Sequence, residues 1–288
     1  MTDQDWLAER FEEHRDHLRR VAYRMLGSLA EADDAVQEAW LRASRAGGGG
    51  VDNLGGWLTT IVARICLNVL RARRAHPEEQ LDGHVPDPVV APEHDPEQAA
   101  LLGDAVGLAL LVVLETLTPA ERVAFVLHDT FAVPFADVAR LLETTPEAAR
   151  QLASRGRRRV RTAALPSETI DAQREVVDAF FAAARRGDFE ALLAVLHPDV
   201  VWNGDGGVMR RFSGRLTGAA EVAARALESA NAKGVLRPVL VNGSAGVVVE
   251  LKGRPFAVVA FAVVDGRIAQ IDSITDPARV PALVASVL

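Results

Sequence analysis

Arg150, Gln151, Ser154, Arg155, Arg157, Arg158 and Arg159 crowd into the stretch Pro146 to Arg161, where Glu147 is the one acid. Guanidinium groups bind phosphate oxygens and grip the O6/N7 edge of guanine, while Gln and Ser offer donors and acceptors suited to base edges. On a helix, Ala149, Leu152, Gly156 and Val160 share one face, and Arg150, Gln151, Ser154, Arg155 and Arg158 share the other. The inner face packs and the outer face is left to read. Arg150, Gln151, Ser154 and Arg155 are expected at bases; Arg157, Arg158 and Arg159, with Arg161, are expected mainly on phosphate, with salt-sensitive affinity. The plainer reading of the same residues is a solvated helix end whose arginines suit the helix dipole.

A second chemistry would need paired acid and base groups. Asp199, Asp205 and Asp272 are available in the C-terminal third, yet none has a neighbour in sequence suited to proton transfer, so no catalytic residue and no enzymatic activity are expected. Cys66 is the single cysteine, which excludes an internal disulfide and any multi-cysteine metal site. The seven histidines form no tight pair with ligand spacing, and neither metal nor cofactor is expected.

The arginine-rich helix needs a scaffold, and the residues before it provide one. Phe135, Val138, Ala139 and Leu142 repeat at helical spacing, Glu143-Thr144 makes a turn, Thr145 can cap the next helix, and Pro146 fits its first position. This is a helix-turn-helix. A largely apolar helix from Ala99 to Leu117, then Thr118-Pro119-Ala120-Glu121 with capping-box spacing, and a helix ending near Thr130 support it.

Further upstream, helical periodicity runs from about Asp5 to Met25 and stops at Gly27; Ser28 caps a second helix whose Ala32, Ala35, Val36, Ala39, Trp40 and Ala43 face inward. Its outer side carries Asp34, Gln37, Glu38 and Leu41, a mixture of acid and exposed leucine that suits a docking surface. After Gly47 to Gly50, Asp52 is expected to cap a third helix, with Arg64, Asn68 and Arg71 on its polar face and Arg73 and Arg74 at its end. Pro77, Pro86, Pro88, Pro92 and Pro96, interleaved with acids, read as an extended linker. Beyond Leu165-Pro166-Ser167, helices come first and strand-like runs after, with Asp265-Gly266 as a hairpin turn, which indicates an α+β domain.

With 288 residues and 49% apolar content the chain can bury real cores, and its formal charge of −7 confines any DNA contact to local basic patches. No signal peptide is visible and the most apolar run, Ala105 to Leu114, is too short to span a bilayer, so a cytoplasmic protein with no membrane partner is expected.

Asp33-Asp34-Ala35-Val36-Gln37-Glu38-Ala39-Trp40-Leu41-Arg42, followed by Gly56-Trp57-Leu58-Thr59-Thr60-Ile61-Val62-Ala63-Arg64, resembles region 2 of extracytoplasmic-function RNA polymerase sigma factors, and the helix-turn-helix resembles their region 4. The resemblance implies core RNA polymerase and promoter DNA as partners. It gives Asp34, Gln37, Glu38 and Leu41 to the polymerase clamp helices, Arg64, Asn68, Arg71, Arg73 and Arg74 to the −10 element, and a flipped base to the loop Gly47 to Asn53. It also implies a linker that threads the polymerase active-site cleft. His197-Pro198-Asp199-Val200-Val201-Trp202 and the element order after it resemble the SnoaL-like cone fold, which commonly encloses a pocket with room for a small-molecule ligand.

A sigma-factor subgroup carries such a domain as an extension that tunes activity. Val85-Pro86-Asp87-Pro88, the loop Asp205-Gly206-Gly207 and Asp276-Pro277 match parts of its motifs, which marks Asp205, Gly206 and Gly207 as a regulatory loop. The expected organisation is therefore multidomain: residues 1–75 (region 2, all-α), linker 76–98, 99–163 (region 4, all-α), linker 164–170, and an α+β SnoaL-like regulatory domain, 171–288. The alternative is a polymerase-independent helix-turn-helix regulator that senses a ligand through the same domain.

Overall fold

The structure is a computed structural model that describes residues 3–47, 51–75, 85–93, 108–161, 168–230, 234–285 and 287. These fall into two compact units, one within Met1–Gln80 and Val113–Thr162 and the other within Leu81–Val112 and Ala163–Leu288.

In the first unit, α1 (Asp3–Leu26) ends where Gly27 takes φ +74° and donates its N–H to Tyr23 O at 2.8 Å. Ser28 Oγ accepts from Glu31 N at 3.4 Å to start α2 (Leu29–Ala46). The third helix, α3 (Leu54–Ala75), is capped by Asn53, whose Oδ1 accepts from Gly56 N at 2.9 Å, and not by Asp52 as expected. The helix begins at Leu54, so Asn53 is the residue next to its first turn and Asp52 lies a position too early. A Cβ on residue 56 would sit 2.8 Å from Asn53 Nδ2, and Gly56 leaves the cap that space. Phe11, Leu18, Val21, Met25, Val36, Leu58, Val62 and Leu67 are buried among these helices, each contributing about 1.5–3 kcal/mol of hydrophobic stabilisation.

The helix α4 (Leu108–Glu115) crosses the division of the chain, with Val113–Glu115 opening the second helical part of this unit; of the expected helix, 99–107 lies outside the described residues. Thr118 and Glu121 form the full capping box of α5 (Pro119–Phe125), which widens into a π-helical turn at Val126–Thr130 before α6 (Phe135–Leu142). Glu143, left-handed at φ +54°, makes the turn, and Thr145 Oγ1 accepts from Ala148 N at 3.2 Å to start α7 (Pro146–Arg161). Ala149, Ala153 and Gly156 are its buried residues. A Cβ at Gly156 would meet Phe125 Cβ at 3.0 Å, so the glycine permits the close approach of α7 to α5.

The two helical parts, expected as separate domains, pack as one unit. Phe131 receives the edge of the His17 ring at 5.3 Å and the Arg24 guanidinium at 5.0 Å. Burial pushes the Cys66 thiol on α3 up to about 12, with the nearby Arg122 charge opposing. Arg122 is itself buried and ion-paired with Glu115 at 2.7 Å.

The second unit is built on a seven-stranded sheet ordered β1-β4-β5-β6-β7-β2-β3. Its strands are β1 (Val90–Pro92), β2 (Leu196–Asp205), β3 (Gly214–Thr217), β4 (Val235–Val241), β5 (Ser244–Leu251), β6 (Arg254–Val264) and β7 (Arg267–Ile274). Only the β2–β7 pair is parallel among the described strands. Asn242-Gly243, Lys252-Gly253 and Asp265-Gly266 all have positive φ, the two-residue turns whose twist matches antiparallel hairpins. On one face pack α8 (Ile170–Arg186), α9 (Phe189–Val195) and α10 (Ala219–Ala230), through Val177, Phe180, Leu192 and Val222 against Val247, Phe261 and Ile271. A short α11 (Val280–Leu283) follows the last strand.

The linker expectation is corrected over its described part. Residues 85–93 are no free spacer: Val90, Ala91 and Pro92 pair with Val241, Leu240 and Val239 as the edge strand of the sheet. Val89 N donates to Asn242 Oδ1 at 2.5 Å, and Asn242 N donates back to Val89 O at 2.8 Å. The rest of the 76–98 linker, and residues 164–167 of the 164–170 linker, lie outside the described residues.

Candidate functional site

The turn and cap that start α7 fix its azimuth: with Ala149, Ala153 and Gly156 buried, Arg150, Gln151, Ser154, Arg155 and Arg158 all emerge on the exposed side. The arginines are not equivalent. Arg150 lies 5.5 Å from the Phe135 ring centroid and 3.3 Å from Glu147, an exposed arrangement that a nucleic acid can displace at little cost. Arg155 and Arg159 converge on the buried carboxylate of Glu121, at 3.1 and 3.3 Å, and Arg159 also donates to Thr116 O at 3.0 Å. Arg157 is turned to Asp129, at 2.7 and 3.2 Å. Of the residues expected on phosphate, Arg158 projects to solvent, whereas Arg157 and Arg159 tie α7 to the elements beneath it.

On α2, Asp34, Gln37 and Leu41 are exposed, and Glu38 bridges to Arg42 at 2.8 Å. On α3, Arg64, Asn68, Arg71 and Arg74 are exposed along the helix. Arg73 is not with them: it donates to Leu26 O at 3.0 Å and to the Glu31 carboxylate, stapling the end of α1 to the start of α2. Of the loop Gly47 to Asn53, Gly48–Gly50 lie outside the described residues.

In the second unit three separate sequence stretches meet at Arg279, a residue the sequence reading did not single out. Asp205 is buried and accepts from Arg279 Nη1 at 2.5 Å, Val85 N at 3.1 Å and Gly207 N at 3.1 Å. Arg279 also donates to Asp87 and to Val85 O at 2.6 Å. Asp276 O accepts from the Arg279 and Val280 N–H groups, which places the arginine. A Cβ at Gly206 would lie 2.3 Å from Met209 O, and one at Gly207 2.4 Å from Asp276, so the two glycines let this loop close. A second clasp forms nearby in the chain: Arg174 pairs with Glu93 at 2.7 Å and donates to Gly246 O and Val239 O. The signal for Arg279 was its place two residues after Asp276-Pro277; Arg174 left none.

Between the sheet and its helices lies a cavity of about 360 Å³. Phe180, Phe181, Trp202, Phe212, Phe256 and Ile271 supply apolar walls, and Arg185, Arg211 and Arg225 are among its lining residues. Asp199, Asp205 and Asp272 do not line it. Asp199 is exposed, and Asp205 belongs to the clasp. Asp272, paired with Asn203 on β2, is buried and accepts from Asn203 Nδ2 at 2.7 Å and from Gln270 Nε2 at 2.8 and 3.0 Å. Burial pushes its carboxyl up to about 6.

Residues 10–76 match the Sigma-70 region 2 family and residues 107–160 match Sigma-70 region 4. The chain is 46% identical over 200 residues to the ECF RNA polymerase sigma factor SigJ of Mycobacterium tuberculosis, covering 68% of this chain and 64% of SigJ, just under two thirds of that relative. It is 38% identical over 204 residues to the probable ECF RNA polymerase sigma factor SigI of the same species, covering 69% of this chain and 70% of SigI. The crystal structure of M. tuberculosis SigJ superposes with a TM-score of 0.72 at 36% identity, over 94% of this chain and 97% of that one. Among the described residues no helix is long and apolar enough to cross a membrane.

Proposed function

We propose, for a chain that belongs to the extracytoplasmic-function RNA polymerase sigma-factor family, that it directs core RNA polymerase to specific promoters and that its C-terminal α+β domain modulates this activity. The observation that carries the reading is the division of α7 into a buried seam and an exposed face bearing Arg150, Gln151, Ser154, Arg155 and Arg158. That face meets the −35 element; the exposed Arg64, Asn68, Arg71 and Arg74 of α3 meet the −10 element; Asp34, Gln37, Glu38 and Leu41 of α2 dock on the polymerase. The protein works in the cytoplasm, by binding, and the chemistry belongs to the polymerase. Family membership disfavours a polymerase-independent regulator.

Modulation acts through the connector. The chain between α3 and α4 is the segment that must pass along the polymerase, and its residues 85–93 are held by Arg279, Asp205, Asn242 and Arg174. Engagement with polymerase competes with that hold.

Run-off transcription with core RNA polymerase on the DNA upstream of the protein's own coding sequence tests the reading. The full chain is expected to give specific transcripts, and Arg150→Ala and Arg155→Ala to lose about 1–3 kcal/mol of promoter discrimination per bidentate base contact. Unchanged promoter selection in both variants would refute the placement of the reading face. Failure of the full chain to bind core polymerase would refute the function.

A further inference from the structure

We infer that the cavity of the second unit binds an amphipathic organic anion, a carboxylate carried on an aromatic or branched apolar body, with the carboxylate held by Arg225 and Arg211. The volume, about 360 Å³, is in the range of small-molecule sites, and the walls are mostly apolar. Phe180 and Phe181 stand edge-to-face at 5.4 Å on one side, backed by the buried Phe261, and Phe212 meets Phe256 at 5.6 Å on another. A flat or branched hydrocarbon fits such walls.

Charge decides the class. Three guanidinium groups, Arg185, Arg211 and Arg225, line the cavity, against one carboxylate among the described lining residues, Glu228. Arg225 is the best placed: its guanidinium lies 5.3 Å from the Trp202 ring and 5.6 Å from Phe212, and its Nη2 donates to Arg211 O at 2.8 Å. Arg211 lies 4.6 Å from the same Phe212 ring, so two cations flank one aromatic group. Glu228 is 3.4 Å from Arg225 but its side chain is 72% exposed, against 23% for Arg225, and water screens that pair. Arg225, half-buried at the cavity, is the principal cation for an anion there, and Arg211, which is exposed, adds its charge from beside the same ring. Ser273 and Thr275 also line the cavity, and their O–H groups make only long 3.5 Å bonds, to Asn203 O and Asp205 O, so they can turn to donate to a carboxylate.

The site's regulatory meaning rests on the modulation proposed above, but its occupancy does not, so binding is measured without polymerase. Calorimetric titration of the full chain with 1-naphthoate, neutral 1-naphthamide and cationic 1-naphthylmethylamine is the experiment. Naphthoate is expected to bind at least tenfold tighter than either analogue. Arg225→Gln should remove that preference, and Ala226→Phe, which fills the cavity from α10, should abolish binding of all three while leaving transcription without ligand unchanged. Equal affinity for naphthoate and naphthamide, preference for the amine, no binding of naphthoate at millimolar concentration, or binding indifferent to Ala226→Phe would each overturn the inference. A failure of transcription with intact naphthoate binding would count against the promoter reading alone.

Discussion

Glu121 in the first unit and Asp205 in the second are both buried carboxylates that accept from arginine, with side chains 6% and 5% exposed. Their surroundings differ. Glu121 caps its own helix through Thr118 N at 3.1 Å and receives Arg155 and Arg159, each about half exposed, from α7. Asp205 receives Arg279, only 19% exposed, and the backbone of Val85, 120 residues earlier. In the first case the acid orients guanidinium groups that still face water. In the second the guanidinium is spent holding two distant stretches together. An arginine's availability is therefore set by how many buried acceptors surround it, and not by its presence in a basic or acidic stretch.

The sharpest break in this comparison is Asp205→Ala. It leaves Arg279 with Asp87 and Val85 O as acceptors and removes the acceptor of Val85 N, so a loss of about 3–5 kcal/mol in the second unit is expected, the usual cost of removing one partner of a buried pair. Urea denaturation reads the stability, and hydrogen exchange reads the release: amides of Val85 and Val89 should lose protection first. Protection equal to that of the unaltered protein would show that β1 pairing, and not the clasp, holds the segment.

Asp272 sharpens the comparison because its hydrogen bonds come from amides and not from a guanidinium. Its carboxyl, ordinarily near 3.8, is pushed up to about 6 by burial, while Asn203, Gln270 and the Arg215 charge oppose the rise. The folded protein thus holds this proton more tightly than the unfolded chain. The resulting stabilisation is complete below about pH 4 and is lost as pH rises through about 6, a difference of about 3 kcal/mol. Asp272→Asn keeps an oxygen for Asn203 and Gln270 and cannot titrate. Stability curves at pH 4 and pH 7 should therefore converge in the variant by about that amount relative to the unaltered protein; an unchanged gap would contradict the assignment.

Glu121→Gln tests the other acid. The capping box weakens, costing about 1 kcal/mol, and Arg155 and Arg159 lose their counter-charge. DNA binding should then depend more steeply on salt, because more cationic charge is available to phosphate. A salt slope that stays the same or flattens would mean that Glu121 serves the cap alone.

What the sequence made legible was local. The turn and cap of α7, the capping box at Thr118 and the Asp265-Gly266 hairpin each depend on residues within four positions of one another, and all are present. Asn53 was missed for Asp52 because helix starts are ambiguous by a residue when two capping types adjoin. The strand Val90–Pro92 was hidden more deeply: its partner, Val239 to Val241, is about 150 residues away, and a Pro-rich stretch is a poor strand by composition although an edge strand tolerates proline. The exposed stripes of α2 and α3 followed from periodicity. Which of their charges is free did not, since Arg73 is turned inward by Leu26 O and Glu31.

The smallest expected effect is also the finest cut through the arginine-rich helix. Arg157 was grouped with the phosphate-gripping residues by its position, yet it makes a two-pronged pair with Asp129, within the π-helical turn. If that pair is its whole role, Arg157→Ala costs up to about 1 kcal/mol of stability, as partly exposed pairs do, and leaves the salt dependence of promoter binding where it was. If it also grips phosphate, the slope of log affinity against log salt falls by about one. Arg158→Ala, altering the neighbour that faces solvent, should show that lowered slope with no loss of stability. The two variants measured side by side separate an arginine that positions the helix from one that the DNA must pay to desolvate.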